Sequence, residues 1–470
     1  MSQRPGTGEV PLRVCTVGSG PSAFYAVESL LKTPGLEVRV DMFERLPTPF
    51  GLVRGGVAPD HQKIKSVSKV YDKIAEDPRF RFFGNVRVGR DLSIEQLERN
   101  YHAVVWAIGC ESDNRLGIPG EDLAGVHSAT EFVGWYNAHP EFRERTFDLQ
   151  RARRVAVVGN GNVAMDVSRI LLQPADRLAD TDIAEHALAT LRNSSVREVA
   201  LLGRRGPAQA AFSPKEIEEI AELPDVDVAV SAADATLDAE SAKWLESQAR
   251  SVQRSVKFLQ ECAARGPQEK QKRLCCRFLV APVAFEGEAG RVRAVKLQHA
   301  ELETDAKGTP RARPIDRFTT IEVDLVLKAV GYRGVPLPGL AFDERRGIIA
   351  NVDGRVLDQA GGPVRKGHYV VGWAKRGPTG LVGTNSPDSK ATIELLLHDV
   401  GAGTTLAPLD RGDVERALQA THVDFVTWQD WQRLDAHERN RGAELGKARL
   451  KEARVDALMD AVRTLRKSAN

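Results

Sequence analysis

Long apolar runs are missing from this sequence. No stretch approaches the roughly 18 consecutive apolar residues that a membrane-spanning helix needs. The first residues, MSQRPGTGEV, contain neither the apolar core of a signal peptide nor an arginine-rich amphipathic pattern. The sequence therefore predicts a cytoplasmic protein that does not enter a membrane.

Cysteine is scarce, and it is not arranged in pairs that suggest chemistry. The five cysteines, at positions 15, 110, 262, 275 and 276, include no C-x-x-C pair. This argues against a disulfide framework and against the dithiol site of a thioredoxin-reductase-like enzyme. We interpret the neighbouring Cys275 and Cys276 as packing residues, and we predict no metal site.

A strong charge of one sign is also missing. The 66 basic and 64 acidic side chains leave a net charge of +2, so the overall field gives no reason to expect nucleic acid as a partner. What is present is 42% apolar residues, 28% charged residues and 40 glycines, which favours an ordinary α/β protein with many turns. A chain of 470 residues has room for two or three domains.

A glycine-rich turn follows the first strand-like run. The run LRVCTV leads into GSGPSA at residues 18–23 and then into a helical pattern, matching the dinucleotide-binding sequence G-x-G-x-x-A. Gly18 allows the tight turn, Gly20 lets a pyrophosphate approach the backbone, and Ala23 lets the helix pack on the strand. Pro21 and Ser22 stand at the helix N-terminus, where unpaired N–H groups attract phosphate.

The next strand ends in an acid. The segment LEVRVDMFE, residues 36–44, reads as a buried parallel strand. Its last residue is Glu44. In this fold, the carboxylate that binds a ribose hydroxyl follows the glycine turn by about 20 residues, and Glu44 is close to that distance along the chain. A dinucleotide whose ribose carries no 2′-phosphate is therefore expected at the first loop.

A second loop of the same kind begins a third of the way along the chain. The segment VAVVGNGNVAMDV contains G-x-G-x-x-A at residues 159–164, with Asn160, Gly161, Asn162 and Val163 in the turn. The strand that follows, EVALLG, ends in Arg204-Arg205 instead of an acid. Two guanidiniums can bind a 2′-phosphate that a carboxylate would repel, so the second nucleotide is predicted to be NADP.

Two dinucleotides of different kinds favour a flavoprotein with two Rossmann-like α/β domains, in which FAD accepts hydride from NADPH. Two further glycine-rich segments could provide the flat walls that a flavin needs. They are PTPFGLVRGGVAPDH (47–61) and GWAKRGPTGLVGTN (372–385). A helix start in the second segment would favour negative charge on a reduced flavin.

Four segments carry a resemblance to a known family. They are TPFGLVRGGVAPDH, GNGNVAMDVSRILL, GRRGPAQAAFSPKE and GWAKRGPTGLVGTN, and the tail TWQDWQRLDAHERNRGAELGKAR adds to them. Together they resemble the adrenodoxin reductase type of ferredoxin-NADP reductase, over almost the whole chain. The resemblance implies an NADP domain inserted into an FAD domain. Residues 1–112 and 333–470 would bind FAD, and residues 113–332 would bind NADP. The second FAD segment would include a C-terminal helical segment.

The resemblance also implies an activity and a set of contacts. NADPH would give hydride to FAD, and electrons would then pass singly to an iron-sulfur ferredoxin. The residues that match the family's FAD contacts are Gly20, Ala23, Glu44, Leu52, Val88, Trp373, Gly380, Leu381 and Val382. Those that match its NADP contacts are Asn160, Gly161, Asn162, Val163, Arg204, Arg205 and Glu216. Ala107-Ile108-Gly109 stands where the family usually has A-T-G, and we expect Ala107 and Gly109 to lie beside the cofactor.

Three further residues are predicted to support hydride transfer. His61 matches the family's histidine near the nicotinamide, and Glu219 matches the acidic partner of that histidine. A histidine beside a carboxylate could tune the electrostatics of the site, while alignment and distance do most of the work of hydride transfer. Asp166, in the helix after the second loop, could join the same network or simply stabilise its own helix.

A basic segment is the predicted docking surface for the ferredoxin, which we expect to be acidic. Residues 241–278 contain nine basic and three acidic side chains, an excess of six positive charges. Arg250, Arg254 and Lys257 would share one helix face. Nothing in the sequence resembles a dimerisation segment, so a monomer is expected.

Two other functions remain open at the sequence level. The first is an NADPH-dependent flavoprotein that serves another enzyme, like the small subunit of glutamate synthase, but the cysteine-rich segment which precedes that family's first glycine loop is missing here. The second is a nucleotide sensor without activity, which would not need the flavin-side glycines, Trp373 or the region of His61.

Overall fold

The computed structural model describes residues 5–8, 10–305, 308–410 and 414–468. The chain divides into two compact units, one made of residues 1–114 and 331–470 and the other of residues 115–330. The second unit is therefore an insertion between the two segments that build the first. Each unit contains a parallel sheet with helices, so the predicted fold class is confirmed.

A mostly parallel sheet forms the centre of the first unit. From one edge to the other, its strands in the described part of the chain are Asn351–Val352, Arg355–Leu357, Val364–Val370, Ala103–Trp106, Leu12–Val17, Val38–Phe43 and Phe80–Phe83. The last five pair in parallel, and the first two extend the sheet antiparallel. The parallel strands are mainly apolar and buried, because helices cover a parallel sheet on both faces.

The helices of the first unit pack on this sheet in two apolar clusters. Their bounds are Pro21–Leu31, Leu52–Gly55, Gln62–Lys65, Ser68–Ala75, Ile94–Asn100, Trp373–Arg376, Asn385–Ala402, Val414–Ala420, Trp428–Glu444 and Val455–Ser468, with a 3-10 turn at Val382–Thr384. Two small ribbons complete the unit. They pair Ser112–Asp113 with Tyr332–Arg333 and Phe342–Asp343 with Ile348–Ile349.

The second unit has a parallel sheet of its own. In order across the described residues, its strands are Val126–Ser128, Leu325–Lys328, Arg154–Val158, Glu198–Leu202, Lys272–Arg277 and Val226–Val230. Its helices are Ala129–Tyr136, Asn162–Leu172, Glu185–Arg192, Pro214–Ala221, Ala232–Ala235, Ala239–Glu246 and Arg250–Arg265, with 3-10 turns at Pro140–Phe142, Ala175–Leu178 and Pro207–Gln209. The strand Arg154–Val158 and the helix Asn162–Leu172 flank the second glycine loop.

An antiparallel sheet also belongs to the second unit. Its strands are Val280–Glu288, Arg291–Thr304 and Pro310–Glu322. In the hydrophilic stretch around residues 300–318, residues 300–304 pair antiparallel with residues 310–314, so this stretch is largely strand. Most side chains of Pro310–Glu322 are exposed or half-buried, so the strand lacks the apolar alternation from which a strand is recognised.

The basic segment of residues 241–278 contains two helices and a strand. A break after Glu246 separates two helices, and the connection ends in the central strand Lys272–Arg277. The predicted packing role of Cys275 and Cys276 agrees with their position on this strand. Burial raises the pKa of the Cys275 thiol to about 12 and that of Cys276 well above its ordinary value, so neither is a reactive thiolate at neutral pH.

None of the helices in the described part of the chain combines the length and apolar composition that crossing a bilayer requires.

Candidate cofactor-binding sites

The first glycine loop lies between the strand Leu12–Val17 and the helix Pro21–Leu31. Gly18 has a φ of +102°, and a Cβ there would collide with the carbonyl oxygen of Ala107. Only glycine satisfies both constraints. Pro21 occupies the first helical turn, where its missing N–H costs nothing, and the fully buried Ala23 brings the helix close to the sheet.

Gly20 differs from Gly18 in what surrounds it. A Cβ on Gly20 would meet no protein atom within 4 Å, so packing within the described structure does not explain why the position is glycine. Open space beside a helix N-terminus is what a pyrophosphate that approaches the backbone requires. The loop therefore fits a dinucleotide.

Glu44 fixes the shape of this loop. Its carboxylate accepts hydrogen bonds from the Ser19 backbone N–H at 3.1 Å, the Ser19 hydroxyl at 2.6 Å and the Leu46 N–H at 2.9 Å. A carboxylate has about four acceptor positions, so Glu44 can also accept a ribose hydroxyl. The predicted ribose acceptor thus has a second task, which is to tie the strand end to the phosphate loop.

The loop of residues 47–56 lies against this turn, and we call it the cofactor loop. The Phe50 N–H donates to the Ser19 carbonyl at 3.0 Å, and a Cβ on Gly51 would lie 3.2 Å from the Gly20 Cα. Leu52, a predicted FAD contact, begins the short helix Leu52–Gly55 and is half-buried.

His61 follows the cofactor loop in the first unit. It stands before the short helix Gln62–Lys65, and its side chain does not cap that helix.

The remaining first-unit candidates lie in three segments, at residue 88, residues 107–109 and residues 373–382. Ala107 and Gly109 follow the strand Ala103–Trp106, with Ala107 against Gly18. Val88 is buried in an apolar cluster. Trp373 begins the helix Trp373–Arg376 and is half-buried.

The turn at residues 380–382 precedes the helix Asn385–Ala402. Gly380 has a φ of +82°, Val382 is half-buried, and Leu381 is 69% exposed.

Two contacts join this region to the start of the helix Pro21–Leu31. A Cβ on Gly372 would lie 2.5 Å from the Ser22 Oγ, and the Ser389 hydroxyl donates to the Ser22 carbonyl at 2.9 Å. In the first unit the structure therefore brings together the predicted phosphate loop, the cofactor loop and the Gly372 turn.

The second glycine loop repeats the geometry of the first. Gly159 has a φ of +130°, and a Cβ there would collide with the Ala329 carbonyl, whereas a Cβ on Gly161 would meet no protein atom within 4 Å. The Asn162 side chain accepts a bond from the Ser213 N–H at 3.0 Å, and the half-buried Val163 follows it in the helix.

Asn160 supplies an independent sign of a ligand. Its side-chain Nδ2 is buried, yet it has no hydrogen-bond acceptor among the described residues. Because a buried donor without an acceptor is costly, an acceptor on a bound nucleotide would remove that cost. The second loop therefore also fits a dinucleotide.

Arg204 and Arg205 follow the strand Glu198–Leu202, as predicted. Both side chains are exposed, and neither forms an ion pair with any residue that the structure describes. Two exposed guanidiniums at the end of the strand that follows a phosphate loop match the arrangement that a 2′-phosphate needs.

Sequence reasoning missed Arg169, which joins the predicted acids of the second unit. Its side chain is 3% exposed and donates to Glu216 at 3.1 Å and to Asp166 at 2.7 Å, with Glu219 at 3.8 Å. Glu216 and Glu219 share the helix Pro214–Ala221, as predicted. The available signal was an arginine three residues after Asp166 on the apolar face of its helix, since i,i+3 side chains are neighbours.

The predicted docking residues lie on the helix Arg250–Arg265, and all three are exposed. Arg254 forms a fork with Glu218 at 2.6 and 2.7 Å, and Lys257 is 3.7 Å from Glu261. Arg250 forms no ion pair within the described residues.

The other basic residues of the segment 241–278 do not all lie on this helix. Lys272, Arg273 and Arg277 belong to a central strand of the sheet, and Arg265 pairs with Asp227 at 3.0 Å. The net charge of a segment does not reveal which of its cations face the solvent.

Comparison with known proteins gives close relatives along the whole chain. NADPH-ferredoxin reductase FprA of Mycobacterium tuberculosis (strain H37Rv) is 46% identical over 459 residues, which cover 96% of this chain and 98% of FprA. The mitochondrial NADPH:adrenodoxin oxidoreductase of Arabidopsis thaliana is 39% identical over 452 residues, covering 94% and 93% of the two chains. The solved structure of Mycobacterium tuberculosis FprA in complex with NADPH matches with a TM-score of 0.90, at 45% identity, over 96% of this chain and all of that one. No protein-family model matches.

Proposed function

Because this chain belongs to the family of NADPH-ferredoxin reductases that includes FprA and the mitochondrial NADPH:adrenodoxin oxidoreductases, we propose that it oxidises NADPH and reduces a ferredoxin. It is an oxidoreductase with FAD and NADP(H) as cofactors. The observation that carries the proposal is the pair of glycine loops, each with one glycine that opens onto space free of protein atoms. One loop leads to a strand that ends in Glu44, the other to a strand followed by Arg204 and Arg205.

We assign FAD to residues 1–112 and 333–470 and NADP to residues 113–332. FAD, when bound, accepts hydride from NADPH and releases electrons one at a time to an iron-sulfur centre. The residues proposed to hold FAD are Gly18, Gly20, Pro21, Ser22, Ala23, Glu44, Leu52, Val88, Ala107, Gly109, Trp373, Gly380, Leu381 and Val382. Their support is the first loop with its open Gly20, together with the exposed apolar turn at Leu381.

The residues proposed to hold NADP are Asn160, Gly161, Asn162, Val163, Arg204, Arg205 and Glu216. Asn160 would donate to the nucleotide through its buried Nδ2, which lacks an acceptor in the described structure. The exposed guanidiniums of Arg204 and Arg205 would bind the 2′-phosphate, and this contact would select NADPH over NADH.

His61, Glu219 and Asp166 are proposed as supporting residues of the hydride-transfer step. Hydride transfer moves no proton to the protein, so these side chains would act through their charge and through alignment. In support, Arg169 holds Asp166 and Glu219 in one cluster of the second unit.

A ferredoxin-type protein is the electron acceptor. We propose that it is an acidic iron-sulfur protein and that it docks on the helix Arg250–Arg265 through Arg250, Arg254 and Lys257, whose exposed side chains support this assignment. We also propose a monomeric, cytoplasmic enzyme.

Cytochrome c reduction tests the function directly. The purified protein is assayed with NADPH, with and without a ferredoxin from the same organism, and its visible absorption spectrum is recorded. We expect a flavin spectrum that NADPH bleaches and a rate that rises saturably with ferredoxin. If NADPH bleaches the flavin and ferredoxin adds nothing, the nucleotide assignments survive and the acceptor is wrong. A colourless protein that does not take up FAD contradicts the whole proposal.

A further inference from the structure

The helix Trp428–Glu444, the second last of the chain, packs against the cofactor loop within the first unit. The Trp431 ring is 2% exposed and lies edge-on to the Phe50 ring, with their centroids 5.6 Å apart. The Arg54 guanidinium lies 5.4 Å from the centre of the same tryptophan ring. The loop that would contact FAD is thus covered by a segment almost 400 residues further along the chain.

Glu438, on the same helix, forms the strongest of these contacts. Its carboxylate accepts a fork from Arg54, with Nη1 at 2.8 Å and Nη2 at 2.6 Å, and a further bond from Arg449 at 3.0 Å. The Glu452 backbone N–H adds a fourth bond at 3.1 Å. The Glu438 side chain is only 1% exposed, and a bidentate guanidinium–carboxylate pair also fixes relative orientation.

The charge of this buried carboxylate is maintained by its partners. Burial by itself would raise the pKa of Glu438, but the Arg54 and Arg449 guanidiniums outweigh it and hold the pKa below its ordinary value. The pair is therefore ionised at neutral pH.

The tail also holds the backbone of the cofactor loop. The Lys451 ammonium donates to the Arg54 carbonyl at 3.0 Å. Gly442 lets the returning chain reach this position, because a Cβ there would lie 2.5 Å from the Arg449 Cα. Both the side chain and the main chain of Arg54 are thus held by residues 438–451.

The other end of the cofactor loop reaches the phosphate loop in a conformation that needs support. Phe50 has a φ of +84° and Gly51 one of +47°, and the left-handed region is unfavourable for a bulky residue such as phenylalanine. This turn places the Phe50 N–H on the Ser19 carbonyl and Gly51 beside Gly20. A chain of contacts therefore runs from Glu438 through Arg54 and Phe50 to the first glycine loop.

We propose that Glu438 is a positioning residue for FAD, which holds the cofactor loop against the phosphate loop through Arg54. The inference rests on the proposed function, since it requires that FAD occupies the first glycine loop. It gives the C-terminal segment a role in cofactor retention.

The test is Glu438→Gln, which keeps the size of the side chain and removes its charge. Protein freed of FAD is titrated with FAD while the quenching of flavin fluorescence is followed, and the visible circular dichroism of the bound flavin is recorded. We expect the FAD dissociation constant to rise at least about tenfold, because Arg54 and Arg449 lose their charged partner. The flavin dichroism should change as well, since the loop is no longer held in one position.

Asp399→Asn is the matched control. Asp399 also accepts a fork from a single arginine of the first unit, Arg355, at 2.7 and 2.8 Å. The other described partners of its carboxylate are Tyr369 and His398, neither of which lies in the cofactor loop. We expect this variant to lower the melting temperature and to leave FAD affinity within about twofold of wild type.

Arg54→Lys provides a second measurement should Glu438→Gln fold poorly, because it keeps the charge and loses the fork. An intermediate loss of FAD affinity supports the proposal. The proposal would be overturned if Glu438→Gln melts at the same temperature as Asp399→Asn but binds FAD with the affinity and dichroism of wild type. If the wild-type protein binds no FAD, the proposed function is overturned as well. If FAD binds and neither Glu438→Gln nor Arg54→Lys changes that binding, only this inference is overturned.

Discussion

Arg204 and Arg205 present two exposed guanidiniums that no described residue neutralises. We predict that replacing both by alanine raises the KM for NADPH by at least about 100-fold, since hydrogen bonds to charged groups contribute about 1.5–3 kcal/mol each and about 1.4 kcal/mol is tenfold. The KM for NADH should change little, because NADH carries no 2′-phosphate. Steady-state kinetics with both nucleotides measure this, and a parallel rise of the two KM values would contradict the 2′-phosphate assignment.

The two glycines of the second loop should respond differently to alanine. Gly159 combines a φ of +130° with a close approach of the Ala329 carbonyl, so Gly159→Ala should strain the second unit and lower its melting temperature. Gly161 has open space around it. We therefore predict that Gly161→Ala melts like wild type and binds NADP⁺ more weakly.

Calorimetric titration with NADP⁺ and thermal melting of both variants separate these two effects. Unchanged NADP⁺ affinity in Gly161→Ala would mean that the nucleotide does not approach this backbone.

Arg169 illustrates what the sequence could and could not predict about single residues. The glycines, Glu44 and the arginine pair were predictable because each acts within a short strand–turn–helix unit. The contacts of Arg169 with Glu216 and Glu219 span about fifty residues and depend on how two helices pack. Spacing along the chain indicates only the bond to Asp166, so the rest of this cluster was not predictable.

The helix Arg250–Arg265 is the element proposed to meet the ferredoxin, and its arginines are not equivalent. Arg254 is already paired with Glu218, whereas Arg250 has no ion-pair partner among the described residues. We predict that Arg250→Glu weakens ferredoxin-dependent turnover at low salt by about tenfold and that the loss shrinks as salt rises. Arg254→Glu should also release Glu218, so its effect should be larger still.

The measurement is the ferredoxin dependence of cytochrome c reduction at several salt concentrations. Turnover with ferricyanide, a small acceptor that needs no protein docking surface, is the control. Variants whose salt dependence equals that of wild type would exclude this helix as the docking surface.

Asp72, on the helix Ser68–Ala75, lies near Asp435, on the helix Trp428–Glu444, and this proximity predicts a pH effect on stability. Burial, together with repulsion from Asp435 and Glu76, raises the pKa of Asp72 to about 6, although Arg439 and Arg449 oppose the shift. A carboxyl group whose pKa is higher in the folded than in the unfolded protein favours folding below the unfolded value of 3.8, and this contribution is lost as the pH rises through about 6. Asp72→Asn should therefore raise the melting temperature at pH 8 and change it little at pH 4.

Thermal melts of wild type and Asp72→Asn across this pH range give the answer. Equal differences between the two proteins at pH 4 and pH 8 would show that Asp72 has an ordinary pKa.

Elements were predictable to the extent that they bury an apolar face. The parallel strands are short apolar runs, and their positions followed from the sequence. The strand Pro310–Glu322 has mostly exposed and half-buried side chains, so its pattern resembled a hydrophilic connection. Similarly, composition indicated a basic segment over residues 241–278 but not that part of it forms a central strand.

At the scale of the whole molecule, the presence of two dinucleotide folds was predictable from the two glycine loops of the sequence. The family resemblance implied that one unit is inserted in the other. The strand order shows that the first unit needs both of its segments to build its sheet. Val364–Val370, from the end of the chain, pairs with Ala103–Trp106, from its beginning. Neither segment of the first unit can complete the sheet alone.

The insertion leaves the first unit at two neighbouring points, which allows its independence to be tested. The Asn114 N–H donates to the Gly331 carbonyl at 3.1 Å, and Ser112–Asp113 pairs antiparallel with Tyr332–Arg333. A two-residue Asn-Gly turn can join such strands. We predict that a chain in which this turn replaces residues 115–330 folds cooperatively and binds FAD, because the sheet and both apolar clusters of the first unit remain complete.

This shortened protein should show a flavin spectrum that dithionite bleaches and NADPH does not, since the proposed NADP residues all lie in the deleted part. Residues 115–330 produced alone, with their own sheet and apolar cluster, should bind NADP⁺ in the absence of flavin. Bleaching of the shortened protein by NADPH would place the nicotinamide nucleotide in the first unit and reverse the assignment of the two cofactors. A shortened chain that folds without taking up FAD would instead mean that the first glycine loop is not sufficient for the flavin nucleotide.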